Sequence, residues 1–433
     1  MHTAIEVRLI RPARNVLGSL RLPGDKSISH RYAMLGAFAE GTSRFTNFST
    51  GADCASTLAC MEALGAKVTR LGADGVKVTG VAGRVTPAGH PLDCGNSGST
   101  MRMMTGLLAP QAGTFTLIGD ESLSRRPMER IRKPLELMGA HLTLTGSHAP
   151  VTIEGSPLAA IDYTTPVPSA QVKTCILLAG LQTAGTTTVR ESVRTRDHSE
   201  LALRAFGATL TRTVDSVSIG GLQQLHAIDA AVPGDISSAA FFMCAAALFP
   251  GSSLVIEQVG LNPTRASLLD VLTALGARIA VLNLEEKHSE LVGTVQISAP
   301  PEGLGSTAIS GALAAQLIDE LPVLAAIGPS TSGGIRIRDA KELRVKESDR
   351  IALVASNLRA MGAEVIEFED GLDVPGGQTL HGATIDSGGD HRIAMAFSVA
   401  ALRAEGETLI QGADSAAISF PEFFDLLDLV AER

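Results

Sequence analysis

Two kinds of apolar segment alternate along the chain. One is apolar on nearly every side and opens with small polar or charged residues, with candidates starting near Lys26, Asn96, Ser169, Asp235, Asp319 and Asp390. A helix of that texture has no polar face to offer water, so burial is predicted. The other kind carries charged positions suited to a partly exposed face and closes five times in similar words. These are Met61-Glu62-Ala63-Leu64-Gly65-Ala66, Leu135-Glu136-Leu137-Met138-Gly139-Ala140, Leu203-Arg204-Ala205-Phe206-Gly207-Ala208, Leu272-Thr273-Ala274-Leu275-Gly276-Ala277 and Leu358-Arg359-Ala360-Met361-Gly362-Ala363. The glycines lie 74, 68, 69 and 86 residues apart, and each suits the left-handed position that stops a helix.

Alternating strand text follows each ending, as in Lys67-Val68-Thr69-Arg70-Leu71 and Glu364-Val365-Ile366-Glu367. Turn pairs such as Asp74-Gly75 and Asp370-Gly371 return a second strand, which predicts hairpins. Most of the all-apolar helices finish in Gly-Thr or Gly-Ser before a strand, at Gly41, Gly113, Gly185 and Gly251. The repeating unit, about 70 residues, therefore combines one buried helix, one amphipathic helix and several strands.

Five amphipathic copies against six buried ones leave a gap. The stretch Phe420-Pro421-Glu422-Phe423-Phe424-Asp425-Leu426-Leu427 fills it if the N-terminal strands, about Ile5 to Leu22, complete the same unit and the chain ends meet. Pro23-Gly24-Asp25-Lys26-Ser27 recurs 210 residues later as Pro233-Gly234-Asp235-Ile236-Ser237. Paired crossovers at these points predict an α/β protein of two domains, each of three repeated units: a split one, 1–23 plus 233–433, and a continuous one, 24–232.

Composition narrows the function. There is no Trp, only 2 Tyr and 13 Phe, and the formal charge is -9, which argues against stacking platforms or a basic field for nucleic acid. The five cysteines form no C-x-x-C pair, so neither a disulfide framework nor a zinc site is expected. The N-terminus lacks a signal-peptide core and no run of about 18 apolar residues occurs, giving a cytoplasmic, non-membrane reading.

Chemistry concentrates at helix starts. Lys26, Ser27 and Arg31 fall in the first turns after Pro23-Gly24, with Asp25 or Ser27 as cap, where unpaired N–H groups and the helix dipole favour an anion. Gly95-Asn96-Ser97-Gly98 heads the second buried helix, and Gly98 would admit a ligand close to the backbone. Arg126 precedes Pro127 and is placed to point into a cleft, whereas Arg130, Arg132 and Lys133 read as a solvated face. Ser169-Ala170-Gln171-Val172-Lys173 opens the third, and matches S-x-x-K only loosely. Asp319 and Glu320 precede the fifth, and Glu342-Leu343-Arg344-Val345-Lys346-Glu347-Ser348-Asp349-Arg350 opens the fifth amphipathic helix. His391 has no second histidine at metal spacing. Lys26, Arg31, Arg102, Arg126, Lys346, Arg350 and Arg392 would converge on one inter-domain cleft, predicting a small ligand with several negative charges.

Taken in order, LPGDKSISHR, GNSGSTMR, RRP, SAQ, DELP, RVKESDR and DHRIAMAF resemble the 5-enolpyruvylshikimate-3-phosphate synthase family across essentially the whole chain. The resemblance implies an inside-out barrel in each domain and transfer of enolpyruvyl from phosphoenolpyruvate to the 5-hydroxyl of shikimate 3-phosphate. That reaction runs by addition and elimination, without metal or cofactor, in a monomer. It implies phosphoenolpyruvate at Lys26, Gly98, Arg126, Gln171, Arg350 and Arg392. Shikimate 3-phosphate would be held by Lys26, Ser27, Arg31, Ser169, Ala170, Gln171, Asp319 and Lys346. Asp319 would act as base, and Glu347 with Lys26 would move the methylene proton. Ala170 stands where many members have Ser, which transfers one phosphate contact to Arg196, and Ile418 lies where some have Lys; both fit a more divergent bacterial branch. The competing readings are a UDP-N-acetylglucosamine enolpyruvyl transferase, whose loop Cys is missing between Asp120 and Pro127, and a non-catalytic anion-binding repeat protein.

Overall fold

A computed structural model describes residues 6–433; Ile5, where the first strand was expected to begin, lies outside them. The described residues form two compact units. One comprises Gly24–Val232 with Lys287–Glu290, and the other the remainder.

In the continuous unit the second and third repeats run strand, buried helix, strand, amphipathic helix, hairpin. Leu92–Asp93 lies parallel to Thr114–Ile118, and Asp162–Thr165 parallel to Thr186–Glu191. Parallel neighbours need a crossover, and the apolar helices Gly98–Leu108 and Ala170–Gly180 provide it. The first repeat has no opening strand of its own. Asp229–Ala231, at the far end of the unit, lies parallel to Thr42–Thr46 in its place. The hairpins complete three four-stranded sheets.

The split unit uses the same device. Asn15–Arg21 lies parallel to Ser253–Gly260 and serves as opening strand for the helix Ile236–Ala247, whose residues are all buried. At both crossovers, therefore, a strand stays in one unit while the helix after it belongs to the other. The chain ends meet here: Ala431–Glu432 pairs with Asn15 and Val16, and Val7–Ile10 pairs with Thr408–Gln411. Each unit has its own hydrophobic core.

The repeated Gly-Ala ending is one structural motif. Gly65, Gly139, Gly207, Gly276 and Gly362 all have positive φ. In every copy the alanine N–H bonds back to the carbonyl five residues earlier, as from Ala66 to Met61, and the glycine N–H to the carbonyl three earlier, as from Gly65 to Glu62. This Schellman closure satisfies carbonyls that a helix end leaves bare. The sixth copy, Phe423–Val430, lacks the glycine and runs straight into the Ala431–Glu432 strand. Gly106 answers a different need: a Cβ there would lie 2.0 Å from the Cys175 carbonyl, so the two buried helices touch backbone to backbone.

One expected helix start holds and one changes. The helix expected near Asp319 is Leu321–Ile327, buried throughout with Glu320 at its N-cap; a further short helix, Gly311–Gln316, precedes it, and Gly328-Pro329 tightens the end of Leu321–Ile327 into a 3-10 turn. The run from Glu342 does not open the fifth amphipathic helix, which begins at Arg350 with Asp349 as cap. Arg344 reaches Asp349, Glu367 and the Phe368 carbonyl, holding Lys341–Val345 as a separate 3-10 turn.

Candidate active site

In the continuous unit, Asp25 accepts from the Ile28 N–H at 2.9 Å and starts the helix Lys26–Phe38. Capping fixes where Lys26 emerges, and its ammonium pairs with Asp53. Arg31, one turn on, donates to the Ser27 carbonyl at 2.8 Å, to Ser199 Oγ at 2.7 Å and to Thr174 Oγ1 at 3.1 Å. Burial lowers the Arg31 pKa to about 10; Glu200 and Asp25 oppose that shift, and the nearby charge of Arg196 adds to it.

His30 is wholly buried in the same turn, with Nδ1 2.7 Å from Thr57 Oγ1. Burial first, then the charges of Lys26 and Arg31, hold its pKa well below the usual 6.5. The unfolded chain takes up this proton near its ordinary value while the folded chain refuses it. Stability is therefore expected to fall as pH drops below about 6.5, by up to about 1.4 kcal/mol per pH unit from this group. Urea unfolding between about pH 7 and 5 should show a steeper loss for the wild type than for His30→Gln.

Arg126 is buried where Leu123, Arg126 and Pro127 turn the chain toward the helix Glu129–Leu137. Its guanidinium donates to Asn96 Oδ1 at 2.6 Å, the Asn96 carbonyl at 3.1 Å and Ser122 Oγ at 3.1 Å. Arg102 donates to Gln171 Oε1 at 2.6 Å, and Gln171 donates to Ser99 Oγ at 2.9 Å. Gly98 sits between the two arginines: a Cβ on it would meet Arg102 Nη1 at 3.0 Å and Arg126 Nη1 at 3.5 Å. Ser169 caps the helix that carries Ala170 and Gln171, accepting from the Val172 N–H at 3.4 Å. Bare helix N–H groups, two guanidiniums and a glycine make an anion cradle.

The split unit assembles a second group from three separated segments. Asp319 Oδ1 lies 3.8 Å from Lys346 Nζ and 3.6 Å from Arg350 Nη1, and its Oδ2 lies 4.0 Å from Arg392 Nη2. Arg392 also donates to the Asp319 carbonyl at 2.7 Å, fixing the backbone under that carboxylate. Arg350 donates to Glu347 Oε2 at 2.6 Å and to both oxygens of Asp390, at 2.8 and 3.2 Å. Burial pulls the Arg350 pKa down, but the charges of Asp390 and Glu347 outweigh it and raise it above the ordinary value. Burial pushes the Asp390 carboxyl up, and Arg350 brings it below the usual carboxylate range.

The expected residues thus lie in two sets. Lys26, Ser27, Arg31, Gly98, Arg126, Ser169, Ala170, Gln171 and Arg196 belong to the continuous unit, and Asp319, Lys346, Glu347, Arg350 and Arg392 to the split one. Sequence reasoning missed the supports: Asp53 under Lys26, Asn96 behind Arg126, Asp390 behind Arg350. It also missed the chain in which Arg265 donates to Ser237 and Ser237 to Glu320, beside Asp319. The recurrence of Pro-Gly-Asp-x-Ser at Ser237 was the one signal for that chain.

A family model described as EPSP synthase (3-phosphoshikimate 1-carboxyvinyltransferase) matches residues 10–427. The chain belongs to the EPSP synthase family. Among its relatives, the 3-phosphoshikimate 1-carboxyvinyltransferase of Koribacter versatilis is 63% identical over 98% of this chain and 99% of that one. The protein of the same name from Solibacter usitatus is 55% identical, over the same shares. A solved EPSP synthase from Acinetobacter baumannii superposes with a TM-score of 0.86 at 39% identity, covering 98% of each chain. Membership in the EPSP synthase family agrees with the resemblance read from the motifs and with the mixed α/β fold. No helix among the described residues is long and apolar enough to cross a membrane.

Proposed function

We propose that the chain transfers the enolpyruvyl group of phosphoenolpyruvate to the 5-hydroxyl of shikimate 3-phosphate and releases phosphate. The observation that carries this reading is the Asp319 group, a carboxylate ringed by Lys346, Arg350 and Arg392 with Glu347 on the same arginine. In the addition step the 5-oxygen bonds to C2 of phosphoenolpyruvate, its proton passes to Asp319, and Glu347, with Lys26, protonates the methylene carbon. In the elimination step that carbon returns the proton and the C2–O bond to phosphate breaks. Arg126, Arg350 and Arg392 offset phosphate and carboxylate charge, an effect that strengthens as water is excluded. Lys26, Ser27, Arg31, Ser169, Ala170, Gln171, Arg196, Asp319 and Lys346 hold the acceptor, and Lys26, Gly98, Arg126, Gln171, Arg350 and Arg392 hold the donor. The two compact groupings and separate cores support domains at 1–23 plus 233–433 and 24–232. The same reading takes the protein as a monomer working in the cytoplasm.

Phosphate release from phosphoenolpyruvate, measured with shikimate 3-phosphate, with UDP-N-acetylglucosamine and with neither, tests the assignment. Release only with shikimate 3-phosphate is expected. Turnover of the sugar nucleotide alone, or binding without turnover, would defeat it.

Gly98→Ala is expected to raise the KM for phosphoenolpyruvate, and the Ki of a phosphonate analogue, by about tenfold. The new methyl pushes on Arg102 Nη1 and loosens its 2.6 Å bond to Gln171, a loss of about 1–1.5 kcal/mol. Unchanged inhibition would remove the analogue from this cradle.

A further inference from the structure

Ser169, Ala170 and Gln171 enter the substrate reading, but Lys173 in the same segment does not. Its side chain is buried, with Nζ 2.9 Å from Glu191 Oε2 and 2.8 Å from Glu200 Oε1. Desolvating one cation with two carboxylates is costly, and apolar residues of the same volume would often fill such a place at least as stably. The triad makes sense through what its members hold. Glu191 ends the strand Thr186–Glu191, and its other oxygen accepts from the Thr195 N–H at 3.3 Å and from the Thr195 hydroxyl. Asp197 accepts from Arg194 at 3.1 Å and from Arg212 at 2.8 Å. Both chain neighbours of Arg196 are thereby fixed. The triad also brackets the anchors of Arg31: Thr174 follows Lys173 and Ser199 precedes Glu200, and both hydroxyls accept from that guanidinium.

Arg196 lies three residues before Ser199, which accepts from the Arg31 guanidinium at 2.7 Å, and its charge helps to lower the Arg31 pKa. Two cations whose neighbours are fixed suit a dianion such as a phosphate monoester, and a rigid loop spares the ordering cost when it binds. We propose that Thr195, clamped by Glu191 and through it by Lys173, is a positioning residue that sets Arg196 against the phosphate of shikimate 3-phosphate. The clamp supplies the contact that a methyl at Ala170 cannot make. This inference rests on the acceptor assigned above.

Thr195→Val keeps the shape and removes the hydroxyl. The KM for shikimate 3-phosphate is expected to rise about tenfold, with kcat and the KM for phosphoenolpyruvate within about twofold. Thr195→Ser should restore the wild-type value. Arg196→Ala should raise the same KM, and Thr195→Val combined with Arg196→Ala should be no worse than Arg196→Ala alone, because the two act as one unit. Glu191→Gln offers a second route to the same loosening if Thr195→Val folds poorly. Multiplying effects in the double variant, an unchanged KM in Thr195→Val, or a parallel rise in both KM values would overturn the clamp while leaving the reaction intact. A wild type that ignores shikimate 3-phosphate would overturn both.

Discussion

Asp319→Asn is expected to lower kcat by about 10²–10⁴-fold while leaving the KM for phosphoenolpyruvate within about twofold. The substitution preserves size and the backbone carbonyl that Arg392 holds at 2.7 Å, so the site should keep its shape. It removes the ability to take a proton from the attacking hydroxyl. Losing one negative charge beside Lys346, Arg350 and Arg392 makes the group more positive, which opposes any weakening of anion binding. A kcat effect without a KM effect therefore separates proton transfer from charge complementarity. Glu347→Gln should give a loss of the same order. Exchange of the methylene hydrogens with solvent needs the methyl group formed in the addition step, so it should slow in both variants. Steady-state kinetics combined with exchange in deuterated water tests both losses, and a fully active Asp319→Asn enzyme would move the base elsewhere.

The parts of this structure that were legible in the sequence are those specified within a few residues. Each Gly-Ala ending closes on carbonyls three and five positions back, so one turn of sequence contains the whole instruction. Asp25, Ser97, Ser169, Asp235 and Asp390 likewise cap helices through N–H groups two or three residues ahead. The start of the fifth buried helix was legible too, since Asp319 and Glu320 stand just ahead of Leu321–Ile327. The short helix Gly311–Gln316 before it was not, and Leu317 to Glu320 separate that helix from the fresh turn at Pro322. Candidate site residues stood out where they broke a helix start. Their supports did not, since Asp53 lies 27 residues from Lys26 and Asp390 lies 40 residues from Arg350. A pairing at that range leaves no periodicity, and nothing local marks Asp390 as more than a cap.

Arg350→Met should be the most destabilising of the substitutions considered, at about 3–5 kcal/mol near neutral pH, and should abolish measurable turnover. Arg350 is 1% exposed and Asp390 is fully buried, so removing the cation strands a carboxylate that water cannot reach. Ser348, at 2.9 Å, and the Arg392 N–H, also at 2.9 Å, would remain as donors to it. In the wild type the depressed Asp390 carboxyl contributes stability that is fully present above its unfolded pKa and is lost only as pH falls through the lower folded value. In the variant the sign reverses: burial without Arg350 raises the folded pKa above the unfolded one, so acidification protonates the stranded group and relieves the penalty. The deficit against wild type should accordingly be largest near neutrality and shrink as pH is lowered, which paired denaturant titrations read directly. Asp390→Asn in the Arg350→Met background removes the stranded charge and should recover much of the lost stability without restoring turnover. A deficit independent of pH, or a double variant no more stable than Arg350→Met, would show that Arg350 supports the fold through packing and not through its bond to Asp390.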